Sequence, residues 1–415
     1  MKADRVRVYL FDEAPTDEWH PFALTRPGGE LRFGDCLLRE RIEAFSGHRV
    51  TATISRAWLT SFREPGAPQV LDRDADPAGS TRDLRDGDRL FLSSRFVPST
   101  GSRWSAIEAR GASLLVVDGE PVGAWIPDGW QAPQASWFRE PGELPGFGEV
   151  ELAGSRLTHV WDLIERNPDR LTADLATGPS SPLPSGSYRT GEGPLVLAEG
   201  VTVEPGVFFD TRHGGIRLDP GVEVRAGARL AGPLHAGERS RLLGGSFECL
   251  SAGPLSYLRG EIEECIVIGH SNKAHDGFLG HAMLGRWVNL GALTTNSDLK
   301  NNYGPVRLGG PNGEVETHLV KLGCLIGDHA KSAIGTMLNT GTVVGAGANL
   351  FGAHPPPKWI PPFAWGHAED APVYARERFL DTAAVVLARR GLEAGSEVRE
   401  WLGACWDRSR SGDST

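Results

Sequence analysis

The sequence predicts an α/β domain followed by a parallel β-helix and C-terminal helices. Three observations carry this. Over residues 1–176, short apolar runs alternate with segments of helical spacing, the pattern of a mostly parallel sheet. At 177–194 the composition shifts to "TGPSSPLPSGSYRTGEGP", a linker rich in Pro, Gly and Ser. Beyond it, across 195–366, an aliphatic or small side chain returns at every sixth position, and a short fixed period means a solenoid.

In chain order, "VRVYLF" (6–11) is a strand, and "GDCLLRERIEAF" (34–45) is a helix with Leu38, Ile42 and Phe45 on one face. "RVTATI" (49–54), "RLFLS" (89–93) and "SLLVV" (113–117) are further strands, and "VWDLIERNPDRLTADLA" (160–176) is a helix broken near Pro168. Val201, Val207, Ile216, Val222 and Ala228 carry the period of six. Phe278, Leu284 and Leu290 resume it, and so do Val320, Ile326, Ser332, Leu338, Val344 and Leu350. An aliphatic at that spacing suits stacked short strands that each bury one side chain, with glycines at the corners. The period breaks at "LKNNYGPVRLGGPNGEVETHL" (299–319), a loop extruded from a corner. It breaks again at "HPPPKWIPPFAWG" (354–366), where prolines forbid helix and central strand. Over 367–415, Phe379, Leu380, Ala383, Val386 and Leu387 make one apolar stripe. Val398, Trp401, Leu402, Cys405 and Trp406 make another, and these helices are expected to cap the end of the solenoid.

The 415 residues suffice for two or three domains with a real core. A formal charge of −10 gives no reason to expect nucleic acid or an anionic membrane as partner. Five cysteines lie far apart without a CxxC pair, which suggests neither a zinc knuckle nor a disulfide framework. The first residues hold too short an apolar run for a signal peptide, and no stretch of about 18 apolar residues occurs, so the cytoplasm is the expected location.

Residues 271–303, "SNKAHDGFLGHAMLGRWVNLGALTTNSDLKNNY", mount hydrogen-bonding and titratable groups on this regular lattice. A neutral histidine with the ordinary pKa near 6.5 can take the proton of an ammonium group, and such catalysis is worth about 10²–10⁴-fold. Lysine and asparagine suit a phosphorylated sugar, as point charge and as amide donor and acceptor. His275 is therefore the candidate base, with Lys273, Asn289, Asn302 and Tyr303 as candidate substrate ligands. Asn272, Asp276 and Glu263 are candidates to orient the histidine. The bland alternative is a solvated corner histidine that bonds the neighbouring coil. His270 and His281 flank it, but their spacing fits no standard zinc pattern, and no metal is expected there.

On these motifs the solenoid resembles the left-handed β-helix acyltransferases built from hexapeptide repeats. The whole plan resembles the bacterial bifunctional N-acetylglucosamine-1-phosphate uridyltransferase/glucosamine-1-phosphate acetyltransferase. The likeness is strongest to a bacterial sugar nucleotidyltransferase family of the same two-domain plan, through "PFALTRPGGELRFG" (21–34), the 271–303 motif and "PPFAWG" (361–366). The resemblance implies that His275 deprotonates a sugar amine as it attacks the thioester of an acyl-CoA, acetyl-CoA first. It implies that Lys273 lies near the substrate phosphate, that Asn289 sits in the matching "VNLGA" segment, and that Asn302 and Tyr303 contact substrate. It also implies a homotrimer with sites between subunits. Phe278 stands where the acetyltransferases have a tyrosine, which removes a hydroxyl contact.

Nucleotidyltransferases of the resembled kind follow their first strand with a glycine-rich loop around the nucleotide phosphates. Here "VYLF" runs into "DEAPTDEWHPFALTRPGGELRFG". Thr25, Arg26 and Pro27 match the tail of that pattern, the glycine-rich head is missing, and Gly29 and Glu30 stand where a lysine is expected. The place of the Mg²⁺-holding aspartate has Ser94 and Arg95, with Asp118 as a substitute. Thr25, Arg26 and Arg32 are the candidate nucleotide or phosphate ligands, since guanidinium groups suit phosphate. Mg²⁺ enters only if this domain is catalytic. The expected function is CoA-dependent acyl transfer to an amino sugar phosphate or nucleotide sugar. The rivals are a nucleotidyltransferase whose solenoid only assembles trimers, and a non-catalytic binding protein.

Overall fold

The computed structural model describes residues 6–75, 87–105, 111–367 and 372–411. Seven strands form the N-terminal sheet: β1 (Arg7–Phe11), β2 (Val50–Ser55), β3 (Gln69–Asp72), β4 (Arg89–Ser93), β5 (Ser113–Val117), β6 (Glu120–Ile126) and β7 (Gly148–Glu151). Their order is β7-β5-β6-β4-β1-β2-β3. Neighbours run parallel except at β6, which is antiparallel to both β4 and β5. Helix α1 spans Leu38–Ser46, starting later than the spacing predicts. Its expected first residues instead pair Arg32–Phe33 with Cys36–Leu37 across a turn at Gly34, whose φ of +68° favours glycine. The 160–176 helix is two short ones, Asp162–Glu165 and Asn167–Asp174, with Pro168 in the first turn of the second.

The second half is a parallel β-helix with three faces. The first face stacks nine strands from Leu195–Leu197 to Trp359–Ile360. The second face carries the rank Arg241, Tyr257, Asn272, Asn289, Lys331, Asn349, and the third carries Phe208–Asp210, Ala228–Ala231, Phe278–Gly280 and Met337–Leu338. Successive strands begin at Lys331, Met337, Val343 and Asn349, so the chain turns one corner every six residues there. The periodic residues Val207, Ile216, Val222, Leu284, Ile326, Leu338, Val344 and Leu350 fill the interior. Two positions depart from the period. Phe278 is half-buried because Leu279 takes the inward place, and Val320 is exposed at the end of the extruded loop. Stacking begins inside the Pro/Gly/Ser-rich stretch, where Tyr188–Thr190 pairs with Phe208–Asp210.

The N-terminal domain docks on the first face. Ile266, Met283, Leu325 and Val343 cluster there with Trp19, Phe22, Leu31, Phe33 and Trp161. Val306 and Leu308 of the extruded loop join the same cluster. The C-terminal helices α2 (Arg376–Ala388) and α3 (Ser396–Arg408) bury the expected Phe379, Leu380, Ala383, Leu387, Trp401, Leu402 and Cys405. They do more than cap the last coil, because their cluster also takes Leu59, Phe62 and Val70 of the N-terminal domain. Arg390, just past α2, lies 3.7 Å over the Tyr257 ring, several coils back. The helices thus brace the corner between the first and second faces. His270, Trp287 and His329 stack there, with ring centroids 4.5 and 6.1 Å apart. No described helix is long and apolar enough to cross a membrane.

Candidate functional site

His275 sits on the solenoid edge between the second and third faces. Its side chain is exposed, and its ring makes no hydrogen bond or ion pair among the described residues. Neither the expected orienting groups nor a neighbouring coil hold it. Asn272 donates to Asn289 Oδ1 at 2.9 Å, Asp276 pairs with Arg259 at 2.9 Å, and Glu263 is 3.7 Å from Lys321 Nζ. The same edge exposes a strip of apolar side chains, Leu293 at 63 %, Ile334 at 78 % and Met337 at 65 %.

Lys273 does not reach outward as expected. It takes an inward place in the stack, in register with Leu258, and is fully buried. Its ammonium donates to the carbonyl of His275 and, at 3.4 Å, to that of Arg259, and burial pulls its pKa down to about 8. Lys273 therefore supports the His275 corner from beneath. Asn289 is exposed on the second face beside Lys331, whose pKa burial also lowers to about 8. Lys331 is not among the residues the sequence marks as candidates, although its outward place follows from the six-residue frame through Ser332.

Asn302 and Tyr303 are exposed, but they lie at a different edge from His275. The loop leaves the solenoid at the corner between the third and first faces, where Leu322 N–H donates to Asp298 O at 2.9 Å. His281 clamps that corner, 2.8 Å from Asp298 and 3.2 Å from Glu264, and these carboxylates outweigh burial to raise its pKa to about 9.

The three N-terminal candidates face the solenoid. Thr25 donates to Asp328 Oδ2 at 2.7 Å. Arg26, 1 % exposed, pairs with Asp328 at 2.8 Å and Glu64 at 3.0 Å. Arg286 adds Nη1 to Glu64 at 2.8 Å and its backbone N–H to Asp328 at 2.7 Å, while Trp401 donates to Thr25 O at 3.0 Å. Thr25 and Arg26 are thus spent on a junction of all three parts of the chain and keep no donor for a phosphate. Arg32 is buried too, bonded to Ser251 and the carbonyl of Asp35.

Open α/β sheets bind ligands beyond the carboxyl ends of their strands. Here that position holds the protein's own carboxylates. Asp12, following β1, accepts Ser55 Oγ at 2.6 Å, Ser94 Oγ at 2.7 Å and the Gly28 N–H at 3.1 Å. A Cβ on Gly28 would come within 2.9 Å of Asp12, so the close approach requires glycine. Glu13 binds Arg95 at 2.8 Å and Arg156 at 2.5 Å. With these oxygens committed, the residues present do not fit Mg²⁺ at this point. Asp118, the other candidate, is exposed on the β5–β6 turn with φ +52°. Among the described residues no group of three or more His, Cys, Asp and Glu is placed to hold a metal.

Beside Arg95 opens a cleft of about 470 Å³, lined by Trp19, His20, His159, Trp161 and residues 308–315 of the extruded loop. His159 and Trp161 stack at 4.2 Å, and burial with the nearby Arg56 lowers the His20 pKa to about 4, leaving it neutral. Aromatic walls with a few polar groups are the usual lining of a small-molecule site. The sequence reading named Arg95 only as the occupant of an aspartate's place. The cleft itself depends on a loop some 150 residues beyond His159 and Trp161.

The junction sets an acid limit on stability. Burial, with Arg286, pulls His270 down to about 3, and burial, with Lys331, pulls His329 down to about 3. Burial opposes the Glu64 charge, but Arg26 and Arg286 prevail and hold its pKa at about 2. All three values lie below those of the unfolded chain. The stability these groups contribute is present above pH 6.5 for the histidines and above 4.5 for Glu64, and is lost as pH falls toward 3 and 2. Two histidines give a slope of about 3 kcal/mol per pH unit below 6.5, steepening below 4.5. Urea midpoints measured from pH 7 to 4 should fall accordingly, and a flat profile would refute the assignment.

A search of curated proteins finds no match. Residues 8–179 match the model of the family described as sugar nucleotidyl transferase, so the N-terminal region is similar to domains of that kind, and a parallel β-helix follows it.

Proposed function

We propose that the protein is a transferase acting on a phosphorylated amino sugar or its nucleotide. The His275 edge carries CoA-dependent acyl transfer, and the aromatic cleft holds the nucleotide or sugar-phosphate end of a ligand. The observation that carries the reading is His275 itself. An uncommitted imidazole stands on a rigid edge, with an amide rank on one side and an exposed apolar strip on the other. Such a ring is free to take the proton of a substrate amine, Asn289 can bond a sugar, and the strip suits an acyl-pantetheine arm. Asn302 and Tyr303 lie on another edge, so they join His275 only when a second copy turns its loop toward it. A closed ring of three copies does this and covers Leu293, Ile334 and Met337. The cytoplasm, where acyl-CoA is made, is the fitting location.

The test incubates acyl-CoAs with amino-sugar phosphates and nucleotide amino sugars and follows thiol release, with light scattering on the same sample. Thiol release and a trimer are expected. A dominant monomer at micromolar concentration would count against the shared site. No turnover with any pair would promote the second reading, nucleotidyl transfer with the solenoid as scaffold, which the family match favours. It ranks second because phosphoryl transfer relies on metal-ion charge, and Asp12 and Glu13 are already committed.

A further inference from the structure

We infer that a cavity where the N-terminal domain, the solenoid and the C-terminal segment meet is an anion site for the phosphoryl group of a small phosphorylated ligand. It encloses about 400 Å³, and its charged lining is Arg32, Arg39, Arg239, Arg286 and Arg390 against Glu40 and Glu238, with His270 between. Two of the arginines have counter-ions, Arg39 in Glu30 at 2.6 Å and Arg286 in Glu64 at 2.8 Å. The other three have none within 4.0 Å among the described residues.

Arg32 decides the matter. It is 4 % exposed, yet its acceptors are neutral: Ser251 Oγ at 2.8 Å, the Asp35 carbonyl at 2.7 Å and His235 Nδ1. Asp35, Glu40 and Asp219 act on its charge only from beyond ion-pair distance, and an oxyanion in the cavity supplies the direct partner that this buried guanidinium lacks. His270, 8 % exposed, adds an imidazole to the same lining. Arg239 and Arg390 reach in from the solenoid corner and from the end of α2, so an anion would draw the three parts together. Planar guanidinium forks suit phosphate, and a cavity of this size admits a phosphorylated sugar as well as the bare ion. None of the lining residues belongs to the His275 edge or the aromatic cleft.

The experiment titrates inorganic phosphate, pyrophosphate and a hexose 1-phosphate into the full-length protein by calorimetry, without acyl-CoA, and repeats it with sulfate. Saturable binding of at least one phosphate probe, tighter than sulfate, is expected. Arg239→Ala/Arg390→Ala, two side chains outside the ion-paired junction, should weaken it at least tenfold, and Arg239→Ala alone, an exposed side chain, should weaken it without moving the melting temperature of the free protein. Arg212→Ala, outside the cavity and paired with Asp210, should leave it unchanged. No saturable binding, equal binding of sulfate, or equal affinity in the double variant would overturn the assignment. None of these results bears on acyl transfer, which is assayed separately.

Discussion

Substituting His275 by alanine is expected to lower acyl transfer by about 10²–10⁴-fold, the range for losing a general base. The melting temperature should stay where it is, because the side chain is exposed and its ring bonds to nothing among the described residues. The loss should fall on kcat and kcat/KM together, since the proton moves only in the transition state. A substrate-binding role would instead raise KM with kcat preserved. If an active wild type lost less than about threefold, well short of that range, His275 would not be the base.

Arg26→Met is expected to cost about 3–5 kcal/mol of stability, because it leaves a buried carboxylate without its partner. Asp328, 1 % exposed, loses Arg26 and keeps only the Thr25 hydroxyl and the Arg286 N–H, while Glu64 retains Arg286. Arg26→Met/Asp328→Leu should recover part of the loss, since the unpaired charge is then gone. Urea denaturation of the two variants measures both effects. A wild-type midpoint for Arg26→Met, with weakened nucleotide binding, would return Arg26 to the role the sequence suggested.

What was legible in the sequence was local or periodic. The runs at 89–93 and 113–117 are strands over the predicted residues. The six-residue frame found the inward residues Ile326, Leu338, Val344 and Leu350, since each face of a coil buries the same position. The frame headed by Phe278 places Asn272 inward, and the shift of one residue to Leu279 is what turns Lys273 in beside Leu258. Strand Glu120–Ile126 was missed because Pro121 and Gly123 break its alternation. The "ALTRPGGELRFG" motif read as a ligand loop because nothing in it points to Asp328, 302 residues away from Arg26. Likewise, the His270–Trp287–His329 stack is hidden by the loop inserted between its last two members.

That inserted loop leaves the lattice undisturbed. Asn289 pairs directly with Lys331, and Leu290 with Ser332, as though the intervening residues were absent. Closing a longer loop costs little, because the entropy grows only with the logarithm of its length. The corner near Asp298 is thus a place where the chain can accept insertions and deletions without a shift of register. Variation there can reshape the wall of the aromatic cleft, through residues 308–315, while the stacked coils keep their spacing. Divergence in ligand preference among descendants of this architecture can therefore proceed by loop exchange, independently of selection on the coils.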